Sequence, residues 1–270
     1  MEFIGYITAL LIGLSLGLIG GGGSLLTVPV LVYLFGIDAV LATGYSLFIV
    51  GITSLVGGAR AFAHKLVDFR AVSLFGIPSI LTIFMARHFV LPAIPEYIFS
   101  VGDMVINKGR LLMLVFAVVM VVSAFFMLRS NNKAKELLNE EKDLSHHYKL
   151  LSLLVPGLIV GLFTGLLGAG GGFLIVPALV LLIRLPMKTA IGTSLLIIAI
   201  NSLFGFVFSI GHYHFNWSLL LSFTGIAVIG VFIGSLLSKK IEGAILKMIF
   251  GWFVLLMGLF ILMNELFLRA

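Results

Sequence analysis

The stretch "GLIGGGGSLLTVP", Gly17–Pro29, decides how this chain folds. Its Leu, Ile and Val residues belong in hydrocarbon, where a bare amide has no water to bond. Glycine is the poorest helix former short of proline, and here four stand together, Gly20 to Gly23. A helix entering from the amino-terminal side is expected to stop there and restart near Leu25. The run that follows, Leu25–Phe35, is roughly half the ~20 residues that span hydrocarbon.

Reading outward, apolar runs between polar breaks give ten segments: Phe3–Ile19, Leu25–Phe35, Ala39–Phe62, Phe69–Leu91, Leu111–Leu128, Leu150–Leu167, Phe173–Ile183, Thr189–Ile210, Trp217–Leu237 and Leu246–Phe267. The chain is 61% hydrophobic and 10% charged, with mean hydropathy +1.24. So little polar surface cannot cover a soluble core of this length, and the expectation is an all-α, multi-pass integral membrane protein of the bacterial inner-membrane type. The net charge of +6 sits at segment ends, where it orients helices against the bilayer. No stripe of basic and aromatic residues suggests nucleic acid. There are no cysteines, which removes disulfides, thiolate metal sites and thiol catalysis. The start "MEFIGYITALLIG" lacks a charged leader and reads as a retained first span.

Segment lengths run full, half, full, full, full, and then repeat. The letters repeat as well. Setting Gly17 on Gly165, a shift of 148 positions, lays "GLIGGGGSLLTVPVLVYL" on "GLLGAGGGFLIVPALVLL" without a gap. Gly44, Ser46, Leu47, Ser54 and Gly57 then meet Gly192, Ser194, Leu195, Ser202 and Gly205, and His64 meets His212. An internal repeat of several spans is a transporter signature. The expected units are residues 1–129, a charged linker 130–149 that includes His146-His147, and residues 150–270. Pro92–Arg110 is an insertion in the first unit.

Lys and Arg cluster in the loop after the third segment (Arg60, Lys65, Arg70), in the linker, at Arg184 and Lys188, and at Lys239, Lys240 and Lys247. The positive-inside rule puts these in the cytoplasm. Asp38, the insertion, the "GHYHFN" loop and both termini then lie outside. Twin loops fall on opposite sides, so the two repeats are expected to be inverted. Each full–half pair must then enter and leave by one face, with its glycines inside the membrane.

Non-helical backbone in hydrocarbon must be buried or line a cavity. Helices restarting at Leu25 and Phe173 point amino termini, with their partial positive charge, at the breaks. Glycine lets a bound group come close to the backbone. The expectation is an anion held by Gly20, Gly21, Gly22, Gly23 and Ser24 on one side and by Gly168, Gly170, Gly171 and Gly172 on the other. A phosphate-cradling P-loop is excluded, since no Gly-Lys-Ser/Thr follows. Other glycines, such as Gly5, Gly13, Gly51, Gly205 and Gly230, read as close-packing sites between helices.

The paired motifs, each followed by a Ser-rich span ("ATGYSLFIVGITSLVGG", "AIGTSLLIIAINSLFG") and then "VDF" or "FNW", resemble the sulfite exporter TauE/SafE family over nearly the whole chain. The resemblance implies a permease, with no enzymatic activity and no cofactor, for small sulfur-containing anions such as sulfite or organosulfonates. Ser24 stands where the second motif has Gly172, so the two breaks need not be equivalent.

Beyond the motifs, Ser46, Ser194, Thr193 and Asn201 are expected to line the anion path, because hydroxyl and amide donors can replace water around an oxyanion. Bonds to their own helix carbonyls are the plainer alternative. His64, His212 and Arg60 are candidate gates, set against a plain interfacial role. No buried carboxylate relay is visible, as a proton-driven pump would need. An anion leaving a negative interior gains about 2.3 kcal/mol per charge per 100 mV, so export needs no coupling ion. The rival functions are a cation or metal permease, an anion channel, and an intramembrane serine hydrolase. The sequence implies lipid and a small anion as partners and is silent on oligomeric state.

Overall fold

The computed structural model describes residues 2–19, 23–101, 104–129, 151–182, 185–211, 213–237 and 243–268. The linker 130–149 and Gly20, Gly21, Gly22, Arg184, His212, Lys239 and Lys240 lie outside the described residues.

Helices stand where the apolar runs predict: α1 (Glu2–Ile19), α2 (Ser24–Tyr33), α3 (Ala39–Ala63) and α4 (Phe69–Met85). Helix α4 continues through a π turn, Ala86–Val90, into Leu91–Ala93. Then follow α5 (Lys108–Arg129), α6 (Leu151–Leu167), α7 (Gly172–Leu182), α8 (Met187–Ile210), α9 (Trp217–Leu237) and α10 (Gly243–Met263), the last ending in a π turn at Asn264–Leu268. Local chemistry sets the boundaries. Asp38 Oδ1 accepts from the amides of Val40 and Leu41 and opens α3. Asp68 caps α4 through Ala71 N, and Asn216 caps α9 through Leu219 N. Helix α2 closes with Ile37 N donating to Leu31 O across Gly36, which has φ +65°. The twin bond, Leu185 N to Leu179 O, closes α7.

Among the described residues, five helices are long and apolar enough to cross a bilayer: Ala39–Ala63, Phe69–Ala93, Lys108–Phe125, Lys188–Ile210 and Trp217–Leu237. Burial sorts these into inner and outer. The apolar windows of α3 and α8 are 72% and 61% buried, whereas those of α4 and α9 are 39%. Helices α3 and α8 pack on each other as the central pair. Large side chains on the outer helices, such as Ile77, Leu81, Leu221 and Phe232, face outward as a lipid-facing surface requires. Helix α2 is short, with nine of its ten residues buried. It is a half-length helix held inside protein.

Packing crosses between the repeats. Helix α1 lies on α9, and α6 lies on α4. Small residues permit this approach: a Cβ on Gly13 would strike the Ala227 backbone and one on Gly17 the Val231 carbonyl. Shifted by 148 positions, the same contacts recur, with Gly161 against Ser79 and Gly165 against Ile83. Gly57 against Leu195 and Gly205 against Leu47 form a third matched pair, on the central helices.

One element departs from the all-α reading. Within the insertion, β1 (Tyr97–Val101) pairs antiparallel with β2 (Met104–Asn107). The signal was present: "YIFSV" and "MVIN" are β-prone and flank Gly102-Asp103, a hairpin-turn pair. The hairpin delivers two buried cations to the start of α5. Lys108 Nζ lies 3.9 Å from Glu96, and Arg110 Nε lies 3.7 Å from a carboxylate oxygen of Glu265. Tyr33 donates to Glu265 Oε1 at 2.9 Å. The carboxyl end of α2 is thereby tied to α5 and to the end of α10. A cavity of about 440 Å³ opens beside the tie, lined by Asp38, Asn107, Arg110 and Glu265 among others.

Candidate functional site: the second glycine break and its surroundings

Between α6 and α7 the backbone leaves the helix at Gly168 and rejoins it at Gly172. Gly168, Gly170 and Gly171 take φ of +69°, +66° and +72°. In this region a Cβ costs roughly 1–2 kcal/mol per residue, which is why the motif is glycine. The whole turn, Gly168–Gly171, is buried. The amides of Ala169, Gly170 and Gly171 make no backbone hydrogen bond among the described residues, while Gly171 O already accepts from Leu174 and Ile175. Donors therefore cluster at the positive end of α7.

The central helices shape the wall. Ser46 on α3 donates to Gly168 O at 2.7 Å, holding the turn. A Cβ on Gly168 would lie 2.6 Å from Thr43 Cα, so backbone touches backbone. Gly170 faces Val50, Ile198 and Ser202, and Gly171 faces Thr164 and Val160. The hydroxyls of Ser202 and Thr164 are buried with no hydrogen-bond partner among the described residues. So are those of Ser54, the twin of Ser202, and of Thr27 on α2. Asn201 Oδ1 accepts from Ser79, while its Nδ2 has no partner among the described residues. An unmade buried hydrogen bond costs about 1–3 kcal/mol, so Ser202 and Thr164 together against the glycine turn are a feature to explain.

The sequence-derived candidates divide. Gly168, Gly170 and Gly171 form the break and Gly172 opens α7, Ser46 borders it through Gly168 O, and Asn201 is buried against Ser79 on α4. Thr193 acts away from the break, where its Oγ1 accepts from Asp68 N at 2.9 Å and fixes the loop before α4. The twin contact joins Asn216 N to the Tyr45 hydroxyl. Ser194 donates to Ile191 O in its own helix. In the first motif, Gly23 is the helical N-cap of α2 and Ser24 is fully buried, while Gly20–Gly22 lie outside the described residues. His64 is exposed at the end of α3, with Nδ1 2.8 Å from Arg60 O. Arg60 is partly buried and donates to Ser235 Oγ.

Sequence reasoning missed Arg87. It lies in the π turn of α4, 3% exposed, with Nη2 donating to Thr43 Oγ1 at 2.9 Å. Its Nε and Nη1 have no partner among the described residues. π turns recur at functional positions because the extra residue re-aims a side chain. In "FMARHFVLP" the arginine reads as a span-end residue. Apolar neighbours on both sides, and the twin Ser235, were the available signals. Tyr213 shares its surroundings: burial pushes the phenol above its usual pKa, while the charge of Arg87 pulls it down.

A multi-pass helical protein with a buried, discontinuous helix between packed repeats has the build of a membrane transporter. The comparisons agree. The model of the sulfite exporter TauE/SafE family matches residues 6–261, and the chain belongs to that family. It is 29% identical to a probable membrane transporter protein of Xylella fastidiosa, covering 93% of this chain and 91% of the relative. It is 27% identical to the probable membrane transporter protein YunE of Bacillus subtilis, covering 96% of each. No solved structure matches.

Proposed function

We propose that this protein carries small sulfur oxyanions, sulfite or organosulfonates, outward across the cell membrane. The observation that carries the reading is the buried Gly168–Gly171 turn. It offers amides at the head of α7, next to hydroxyls, that have no hydrogen-bond partner among the described residues. Donors without negative charge suit an anion and repel a cation. The set is rich in weak donors, which lets a bound ion leave as well as enter.

The reading includes two inverted repeats, and three contacts support it. The first is the exchange of α1 and α6 between repeats described above. The second is that Gly5, at the start of α1, meets Phe35, just past α2, so the full and half helices begin and end together. The third is that Asp38 and Glu96 both act on Tyr213, gathering on one face the loops that charge assigned to the exterior. The intramembrane hydrolase finds less support, because Ser46 Oγ is committed to Gly168 O and His64 Nδ1 to Arg60 O.

The test is counterflow into proteoliposomes, with sulfite, sulfoacetate, phosphate, chloride and nickel as separate solutes. Saturable flux of sulfite or sulfoacetate, absent for nickel, is expected. Nickel flux without sulfite flux would overturn the reading. Loss of sulfite flux on adding a protonophore at clamped potential would overturn the uncoupled step.

A further inference from the structure

We infer that Arg87 is a substrate-binding residue, whose guanidinium supplies the counter-charge and a two-donor fork for an oxyanion at the second glycine break. This rests on the break being an anion site, as proposed above.

Four observations lead there. Arg87 is buried but belongs to neither ion pair found among the described residues. The two acids that act on its neighbour Tyr213 are committed elsewhere: Asp38 caps α3 and Glu96 faces Lys108. Second, the one recorded bond leaves a complete fork. Nη2 carries two N–H groups, and Thr43 takes one of them. Whichever it takes, the other pairs with Nε or with Nη1, both unpartnered among the described residues. Two parallel N–H groups fit two coplanar oxygens, as in sulfite, a sulfonate, phosphate or a carboxylate. A halide engages such a fork through one centre only.

Third, the fork is at the break. Its anchor Thr43 is the residue whose backbone Gly168 touches, and Ala86, next to Arg87, packs on Gly165. Fourth, the other repeat holds an arginine at the corresponding place by a different route. Ser235 is the twin of Arg87, and Arg60 reaches in to bond it. Ser235 in turn lies against Gly17, at the approach to the first break. Arg60 thus reaches the side of α9 that packs on Gly17, as Arg87 reaches the second break. Of the two, Arg87 is the buried one, and its Nε and Nη1 have no partner among the described residues.

An unpaired buried cation destabilises a fold by several kcal/mol. That makes a structural role and a ligand role separable. The purified full chain, as wild type, Arg87→Gln and Arg87→Lys, is titrated with sulfite, sulfoacetate, phosphate, acetate and chloride. Melting temperature and binding are both read, followed by counterflow. Arg87→Gln is expected to weaken binding of the preferred oxyanion about tenfold or more. Without ligand it should melt no lower than wild type. Arg87→Lys, which keeps charge but not the fork, is expected to recover only part of the affinity.

Wild-type binding of oxyanions with Arg87→Gln equally tight would overturn this inference while leaving the proposed function standing. Full affinity in Arg87→Lys would overturn the fork. No oxyanion binding by wild type would overturn both.

Discussion

Replacing Gly168 by alanine tests the geometry of the break most directly, because the structure supplies its own control. Gly168 and Gly36 share the same left-handed backbone, φ +69° and +65°. Around Gly36 a new Cβ meets nothing within 4 Å, so Gly36→Ala carries only the conformational cost, about 1–2 kcal/mol. At Gly168 the same methyl meets the Thr43 backbone, with Thr43 Cα at 2.6 Å. Backbone on a buried central helix cannot rotate away as a side-chain tip can. Overpacking of this kind adds about 1–3 kcal/mol. Gly168→Ala is therefore expected to cost about 2–5 kcal/mol in all, and Gly36→Ala about 1–2 kcal/mol. At about 2–4 °C per kcal/mol for a chain of this size class, the two should separate clearly in thermal melts of detergent-solubilised protein. Sulfite counterflow should survive Gly36→Ala and be lost in Gly168→Ala. Equal melting temperatures for the two variants would refute the claim that the turn is pressed against α3.

Three further outcomes are expected. Ser46→Ala leaves Gly168 O without its donor and should destabilise by about 1–3 kcal/mol, lowering flux with it; unchanged melting and flux would show that the turn stands unaided. Arg110→Met removes the buried cation beside Glu265 and should cost about 3–5 kcal/mol by melting, whereas adding Glu265→Gln should recover part of that loss. Residues 1–129 and 150–270, made as separate chains, should each be degraded or aggregate alone and co-purify when expressed together, since α1 needs α9 and α6 needs α4; a monodisperse, stable 1–129 on its own would contradict the packing.

Much of the fold was legible because lipid imposes simple rules. Run length gave the helices to within a few residues, and the half-length runs after Gly20–Gly23 and Gly170–Gly172 marked α2 and α7. Self-similarity at 148 positions marked the repeat, and the structure repeats contacts at that same shift, Gly13 with Ala227 and Gly161 with Ser79. The Tyr97–Asn107 hairpin was not foreseen, because the Pro92–Arg110 stretch was read only as an insertion that breaks the repeat. The site was legible only in part. Glycine identity announces a turn because few residues tolerate positive φ, so Gly168, Gly170 and Gly171 stood out. Hydroxyls are ambiguous in sequence: Thr193 and Ser46 look alike, yet one holds a loop amide and the other a break carbonyl. Arg87 was hidden because whether a span-end arginine snorkels outward or turns inward depends on a single π turn, and no spacing rule reports that.

The interlocking of Gly13 with Ala227 and of Gly161 with Ser79 carries a historical consequence. Each repeat leaves its own first helix to be clasped by the other, so neither is closed by itself. A half-length ancestor had to meet a second copy of itself before its grooved glycine ridges were covered. Fusing the two copies made that meeting part of a single chain. The copies have since diverged, with an arginine at position 87 where the counterpart, position 235, is a serine.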